Sequence, residues 1–461
     1  MRGFFVLVSI GVMAAACTSS DDSGTTSTST ASLAAAPGED RIHGGMPCKC
    51  VDDDYVCARA RRGFGISPVP IEPRGRSCDE IVQASYGSYL VNATADCAGC
   101  HSTAAGFLAG GNPFALDRNG HVVFSRNLTP DPRTGMHLTR RQFVEALRTG
   151  RDFHPGSAGM LVVMPWLFYR WASDGDLGAI YAYLRAIPPA SNLVSPDSKA
   201  GLGLPQAIPF TGIYNEGDVP RILPPDDGSL MPNLKRGRAI QPLAEPRALG
   251  RRKLFERGSY LANSLSTCGE CHTEGAPGAP PGRNDKLELV TEHYLTGGTV
   301  FIVPPALQPV LHQNRTMAAN LRGARFGFFH EQDVHYDRFA EIIHTESHAD
   351  ENPPRPLGFP MPASSFRLLV DEDLRAIYTY MRRVTPAHIS DLPRQDYARW
   401  CAADADCESG ETCHMDPDPT VGNECVGLTC AADADCDACQ TCNAGACVAP
   451  TPASACLRSA G

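Results

Sequence analysis

The chain has 461 residues, of which 43% are hydrophobic, so it is long enough for about two to four globular domains. Its 38 prolines and 43 glycines favour a loop-rich protein. The formal net charge of −10 argues against a nucleic-acid partner, because such partners are bound through basic surfaces.

The first 17 residues have the pattern of a bacterial export signal. Arg2 precedes an apolar run from Phe4 to Ala16, and small residues lead into Cys17, as in a lipoprotein signal whose cysteine becomes lipidated. An ordinary signal peptide with an unrelated cysteine is the alternative. The run is too short to span a bilayer, which takes about 20 residues. We therefore expect a protein of the periplasm or cell surface that a lipid on Cys17 anchors to a membrane.

Residues 18–78 combine a tether with the first group of cysteines. Residues 18–38 are rich in Ser, Thr and Ala, a composition typical of a flexible linker. The cysteines that follow are even in number, namely Cys48, Cys50, Cys57 and Cys78. Because an exported protein resides in an oxidising compartment, we expect these four cysteines to form disulfide bonds.

The most informative motif, Cys-x-x-Cys-His, occurs twice. It is the attachment signal for c-type haem, because thiols at this spacing can form thioethers to both haem vinyl groups, and the adjacent histidine then lies under the iron. A zinc half-site, a redox dithiol or a disulfide hairpin is the alternative reading of a single copy. The motif residues are Cys97, Cys100 and His101 in the first copy and Cys268, Cys271 and His272 in the second.

The sequence around the motif is duplicated as well, which favours haem attachment at both copies. Gly-Ser-Tyr-Leu begins ten residues before each first motif cysteine, at Gly87 and Gly258. A glycine-rich loop follows each motif. Further on, a nearly identical helical segment begins at Ala179 and Ala376. Since glycine has no side chain, we expect a second helix to cross closely at Gly87 and Gly258.

This duplication predicts a mainly α-helical fold with two tandem cytochrome c domains, in which class I-like helices surround each haem. We place the first repeat at 79–190 and the second repeat at 251–388. Residues 191–250 contain few periodic hydrophobic positions and are predicted to be an irregular connector. The expected cofactors are therefore two covalently bound c-type haems.

Two methionines are the predicted distal iron ligands. Met164 and Met361 each precede a proline, fifteen residues before the alanine that begins the duplicated helix. A thioether favours ferrous iron and raises the reduction potential relative to a second histidine. Core filling is the alternative role of both side chains. Other candidate ligands are Met136, His137, His154 and Met160 in the first repeat and Met317, His330, His335, His344 and His348 in the second.

The C-terminal region, residues 400–461, is predicted to be a small disulfide-rich module. Ten of the 19 cysteines lie between Cys401 and Cys456, and so short a segment cannot bury much apolar core. The pairing of these cysteines is not readable from the sequence. Cys413-His414 does not form a third haem motif, because five residues separate Cys413 from Cys407.

The segments 127–131, 143–151 and 164–166, together with the duplicated helix, resemble the cytochrome c subunit of bacterial membrane-bound alcohol and gluconate dehydrogenases. The resemblance covers about residues 79–388 and is thinner in the second repeat. It implies that His101, Met164, His272 and Met361 are axial iron ligands. Subunits of that family carry three haems and pass electrons from a periplasmic dehydrogenase to membrane quinone or an oxidase. This chain departs from them in having two haem motifs.

These observations together predict an exported dihaem c-type cytochrome that carries single electrons between a periplasmic donor and a respiratory acceptor. No nucleotide fingerprint, P-loop or nucleophile elbow is found in the sequence, so we expect no catalytic residue and no catalytic activity of its own. The alternative is a dihaem peroxidase or a dehydrogenase subunit that acts at one five-coordinate haem. A third hypothesis is an interaction protein whose cysteine-rich tail binds a partner.

Overall fold

The computed structural model describes residues 45–50 and 55–384, apart from gaps at 117–118, 156, 158, 217–219, 226–233, 244–251, 277–278, 304–307, 309–314, 323–334 and 349–354. Beyond residue 384 it describes short pieces between 397 and 448. The predicted signal 1–17 and Cys17 lie outside the described residues. The described part is mainly helical, which confirms the predicted helical class. No helix within these ranges is long and apolar enough to cross a membrane.

The helices up to the end of the first repeat follow the expected order. Two of them begin with a capping box, in which a side chain before the helix and one in its first turn satisfy each other's backbone N–H groups: Ser77 with Glu80, and Thr139 with Gln142. The elements are α1 (Tyr55–Ile66), α2 (Cys78–Tyr89), the π-helix π1 (Leu90–Thr94), α3 (Cys97–His101), α4 (Arg140–Thr149), α5 (Trp166–Tyr169) and α6 (Asp174–Leu184).

The later helices repeat the same series. The connector contributes a short helix, and the second repeat then supplies an opening helix, a π-helix, a motif helix, a middle helix, a short helix after Met361 and a closing helix. They are α7 (Leu234–Ala239), α8 (Arg252–Tyr260), π2 (Leu261–Leu265), α9 (Cys268–Cys271), α10 (Tyr336–Thr345), α11 (Ala363–Phe366) and α12 (Asp371–Arg383), with a 3-10 turn at Thr291–His293.

The strands are short and join neighbouring loops. Antiparallel pairs form between β1 (Pro113–Ala115) and β2 (Val122–Phe124), β3 (Ile213–Tyr214) and β4 (Arg221–Ile222), and β7 (Ser347–His348) and β8 (Arg355–Pro356). A three-stranded sheet has the order β5 (Val300–Ile302), β6 (Arg315–Met317), β9 (Tyr397–Ala398). In the C-terminal region, β10 (Thr412–His414) pairs with β11 (Glu424–Val426), and β12 (Thr441–Asn443) pairs with β13 (Ala446–Val448).

The two repeats use glycine at the predicted helix crossing. A Cβ atom on Gly87 would collide with the carbonyl of Ala179 in α6, and one on Gly258 would collide with the carbonyl of Ala376 in α12. The expectation of a close approach at Gly87 and Gly258 is therefore confirmed. Only a residue without a side chain permits the opening and closing helices to touch backbone to backbone.

An additional helix precedes each opening helix in the chain, and a serine of the opening helix donates a hydrogen bond to it in both repeats. The hydroxyl of Ser88 donates to the carbonyl of Gly63 in α1, and that of Ser259 donates to the carbonyl of Gly237 in α7, each at 2.7 Å. The structural duplication thus extends into the N-terminal segment and the connector. Sequence comparison missed it, because α1 and α7 share few residues beyond this glycine.

The repeats contact each other through reciprocal hydrogen bonds at the starts of their closing helices. The Tyr89 hydroxyl of the first repeat donates to Asp373 of the second at 2.8 Å. The equivalent Tyr260 hydroxyl of the second repeat donates to Asp176 of the first at 2.6 Å. Both carboxylates are buried, with exposed fractions of 1% or less. A pseudo-twofold relation between the repeats follows from this exchange.

Two arginines also donate hydrogen bonds to the Asp373 carboxylate. Arg59 of α1 donates to its two oxygens at 2.9 and 2.7 Å, and Arg257 of α8 donates to them at 2.9 and 3.0 Å. Burial alone would raise the pKa of Asp373, but Arg257 and Arg59 hold it at about 2. The carboxylate is therefore ionised, and bidentate pairing satisfies its buried charge.

Disulfide bonds fix the helix that supplies Arg59. Cys48 pairs with Cys78 at the start of α2, and Cys50 pairs with Cys57 inside α1. The predicted disulfide bonding of these four cysteines is thus confirmed. Because the bonds limit the freedom of the unfolded segment, they favour the position in which α1 reaches the second repeat.

The substitution Asp373→Asn is expected to destabilise the contact between the repeats. Removing the charge leaves the buried Arg257 without its carboxylate and Arg59 with the exposed carboxylate of Glu372 alone, and breaking a comparable buried pair costs about 3–5 kcal/mol. Asp371→Asn is the matched control, since Asp371 is 64% exposed and pairs with Arg375 one turn along the same helix. That exposed pair is worth about 0.3–0.5 kcal/mol. Denaturant unfolding followed by circular dichroism measures both losses, and equal losses would contradict the assignment.

The low pKa of Asp373 predicts that the folded protein loses stability in acid. The pKa of this carboxyl is about 2 in the folded protein and about 3.9 in an unfolded chain, so its contribution to stability is complete above pH 4 and is lost as the pH falls towards 2. The free energy of unfolding of the wild type should therefore decrease over this interval. Asp373→Asn should reduce this decrease relative to Asp371→Asn. An unchanged pH profile would show that the paired carboxylate does not set it.

Candidate haem-binding sites

Each motif follows an identical irregular turn. In the first repeat the backbone N–H of Ala95 donates to the carbonyl of Leu90 at 2.9 Å, and Asp96 then adopts a left-handed conformation with φ 45°. In the second repeat Ser266 donates to Leu261 at 2.8 Å, and Thr267 has φ 46°. Non-glycine residues rarely adopt positive φ, and π-turns are frequent at functional sites. The same costly turn thus positions both cysteine pairs.

The four motif cysteines are free thiols. This excludes the disulfide-hairpin reading for the structure as described. Burial, with smaller contributions from neighbouring acidic groups, raises the pKa of Cys97 and Cys100 to about 12, and burial raises that of Cys268 to about 12. Dithiol redox chemistry needs a thiolate at neutral pH, so thiols that stay protonated do not suit it. Thioether formation, by contrast, takes up the thiol hydrogen.

Both motif histidines are oriented by a backbone carbonyl. The Nδ1 atom of His101 lies 2.7 Å from the carbonyl oxygen of Arg126, and that of His272 lies 2.7 Å from the carbonyl oxygen of Ala319. The hydrogen bond requires the proton on Nδ1, which leaves Nε2 as the free lone pair for a metal. Burial lowers the pKa of both imidazoles, so the neutral form that binds iron is favoured.

A cluster of charged side chains surrounds Arg126, whose carbonyl oxygen accepts the hydrogen bond from His101. Arg126 pairs with Asp197 and lies 4.0 Å from Asp152, while Lys199 donates to Asp152 at 2.9 Å. The side chains of Lys199, Asp152 and Asp197 are 2%, 5% and 9% exposed. Two of these residues belong to the connector, which therefore holds the loop behind His101.

The predicted methionines lie at equivalent points of the fold. Met164 and Met361 are half-buried, and each lies two residues before a short helix, α5 or α11. The prolines that follow have matching conformations, with φ −76° and ψ 45° at Pro165 and φ −80° and ψ 53° at Pro362. Both methionines pack against the main apolar core. Their roles as iron ligands stay predictions.

Several rival ligands point to solvent. His137, His154, His335 and His344 are exposed, and His330 lies outside the described residues. Met136 and Met160 are buried, with 7% and 3% exposure. A ligand must approach a buried iron, so exposed imidazoles are poorer candidates than the half-buried methionines.

The donor set and its surroundings fit a covalently bound haem. Cys97 and Met164 pack against the main core. Cys100 packs against a separate small apolar cluster, which comprises Phe114, Leu116 and Val123 with Val162, Val163 and Leu202. Apolar side chains on two sides suit a flat macrocycle. In addition, the Nη1 atom of Arg126 is buried without a hydrogen-bond partner among the described residues, so a further acceptor can bind there.

Several of these residues escaped sequence analysis. Nothing in the local sequence distinguishes Arg126 or Ala319 as the residue whose carbonyl meets the imidazole, because every residue has a carbonyl. Asp197 and Lys199 lie in the segment predicted to be an irregular connector. A weak signal was present, since the two charged residues flank a serine in an otherwise polar and proline-containing stretch.

Asp197→Ala is expected to loosen the loop behind His101. It would leave Arg126 and Lys199 to share one buried carboxylate, and losing a buried partner costs about 3–5 kcal/mol. Glu145→Ala is the control, because Glu145 pairs with Arg151 at the surface, where 36% and 54% of the two side chains are exposed. That loss should stay below about 1 kcal/mol. Denaturant unfolding measures both, and a smaller loss for Asp197→Ala would contradict the support role.

Comparison with known proteins gives several relatives that are cytochrome c subunits of dehydrogenases. The chain is 27% identical over 338 residues to the fructose dehydrogenase cytochrome subunit of Gluconobacter japonicus, which covers 70% of this chain and 56% of that protein. It is 28% identical over 304 residues to the gluconate 2-dehydrogenase cytochrome c subunit of Pantoea cypripedii, covering 64% and 58%. It is 28% identical over 194 residues to the cytochrome c subunit of the quinone alcohol dehydrogenase of Gluconobacter oxydans, covering 41% and 34%.

The matched region spans little more than half the length of the first two relatives. No protein-family model matches the chain. The names of the relatives nevertheless agree with the resemblance carried by the sequence motifs. That resemblance is confirmed: the chain is related to cytochrome c subunits of fructose, gluconate and alcohol dehydrogenases.

Proposed function

We propose that this protein is a c-type cytochrome with two covalently bound haems that carries single electrons between protein partners. It would comprise two tandem cytochrome c domains, at 79–190 and 251–388, followed by a disulfide-rich module at 400–461. The relatedness to dehydrogenase cytochrome c subunits supports electron transfer. The number of motifs supports two haems.

The observation that carries the proposal is the duplicated arrangement of two half-buried thiols and a carbonyl-bonded imidazole. Cys97 and Cys100 would bind one haem and Cys268 and Cys271 the other, with Nε2 of His101 and His272 directed to the iron. A bound haem supplies a one-electron iron couple. The carbonyl of Arg126 or Ala319 keeps the proton on Nδ1 and makes the imidazole a better donor.

Met164 and Met361 would complete the coordination. They precede equivalent proline-capped helices in two repeats that share the same backbone turns. If both irons have a protein ligand on each side, neither has an open position for oxygen or peroxide. This favours a carrier over the alternative of a dihaem peroxidase or a dehydrogenase subunit active at one five-coordinate haem.

The proposed partners follow from the relatives and the N-terminal sequence. The names of the relatives place them in dehydrogenases, so a periplasmic dehydrogenase is the proposed donor. A quinone or oxidase is the proposed acceptor. The segment ending at Cys17 supports export and a lipid anchor, which would hold the protein at a membrane in the periplasm or at the cell surface.

A redox titration of the haem-loaded protein tests the proposal. We expect two haems per chain by pyridine haemochrome assay and a low-spin spectrum with the weak band of methionine-ligated ferric iron. Met164→Ala and Met361→Ala should each remove part of that band and lower the potential of one haem, since a thioether stabilises ferrous iron.

Met136→Ala and Met317→Ala are the matched controls, one in each repeat, and should leave the band and both potentials unchanged. Loss of the band in a control instead would reassign the ligand. A protein that stays colourless after maturation in a haem-loading host would overturn the proposed function. A high-spin signal in the wild type would favour the enzyme alternative.

A further inference from the structure

The contact between the repeats includes the turns that carry the attachment cysteines. The helices π1 and π2 contact each other. Each leads within three residues into a motif, at Cys97 and Cys268. The reciprocal hydrogen bonds of Tyr89 and Tyr260 hold these turns together at the same surface. The two motifs therefore lie on one shared interface.

Each motif is covered by the short helix that follows the methionine of the other repeat. Helix α5 contacts π2, and α11 contacts π1. The hydroxyl of Ser365 in α11 donates to Asp96 at 2.6 Å, directly before Cys97. Phe168 holds the equivalent third position of α5, and its ring lies 3.2 Å from where a Cβ on Gly269 would stand. Gly269 is the residue that follows Cys268.

Phe168 is held tightly in this position. It is 2% exposed. The guanidinium of Arg283 lies over its ring at 4.3 Å and is fixed by pairing with Glu216. Tyr294 approaches Gly269 as well, at 2.9 Å from the same Cβ position. The ring therefore cannot move away from the second motif without breaking the contact with Arg283.

We propose that Phe168 is a positioning residue for electron passage between the two haems. Its ring packs against the second motif and so fixes the separation of the two motif turns, to whose cysteines the haems would be bonded. Two bound haems would supply a one-electron exchange, in which the electron lost by one is gained by the other and no bond forms or breaks. The rate of electron tunnelling falls steeply as the distance between the haem edges grows. The position of the Phe168 ring would therefore set the rate of electron transfer between the haems. This inference rests on the proposed function.

Circular dichroism in the Soret region tests the geometry independently of activity, because two haems held close together give a bisignate exciton band. We expect that band in the haem-loaded wild type. Phe168→Leu should lose most of its amplitude, since the turns can then shift, and should slow intramolecular electron transfer after flash reduction. Phe143→Leu is the control, because Phe143 packs against Tyr181 inside the first repeat. It should retain both signals.

Ser365→Ala provides a milder second variant in case Phe168→Leu fails to fold. It removes the hydrogen bond to Asp96 and should weaken the exciton band while absorption shows two intact low-spin haems. Two haems without an exciton band in the wild type would overturn this inference and leave the proposed function standing. So would equal effects of Phe168→Leu and Phe143→Leu. A protein without haem would overturn both.

Discussion

Two buried carboxylates hold the repeats against each other. Asp176 and Asp373 lie in the first turns of the closing helices, and each accepts a hydrogen bond from the tyrosine of the opposite repeat. An ionised carboxylate is costly to bury unless its oxygens are satisfied, so the contact is favourable only when both repeats are docked. Helix α1 adds Arg59 to this contact and is itself fixed by disulfide bonds. The relative position of the two motif turns depends on this arrangement.

The candidate cofactor-binding residues are recognisable in the sequence because their signal is local. Two thiols and an imidazole must stand at fixed spacing to bind one haem, so Cys97, Cys100 and His101 are recognisable without any tertiary information. The glycine at position 87 is similar, since a residue without a side chain inside a helical pattern indicates a close crossing. The structure bears out the crossing and presents free thiols and an oriented imidazole in both motifs.

The supporting contacts were not predictable, because they join residues far apart in the chain. Arg59 and Asp373 are separated by 314 positions, and Arg126 and Asp197 by 71. No periodicity or motif links such pairs. The π-helix before each motif was also missed, since the segment 90–94 has no residue that marks a widened turn and differs from ordinary helix only in its hydrogen-bond register.

The two candidate sites differ in their supporting side chains, while the imidazole keeps the same hydrogen-bond geometry in both. The imidazole is held by a backbone carbonyl, so the residue that supplies it is free to vary: it is Arg126 in one repeat and Ala319 in the other. Arg126 joins a buried cluster of two cations and two carboxylates, whose charges largely offset one another. Its main contribution is therefore to rigidity behind His101. Ala319 has no side chain that could join such a cluster, so two sites with the same motif and the same hydrogen bond have different support.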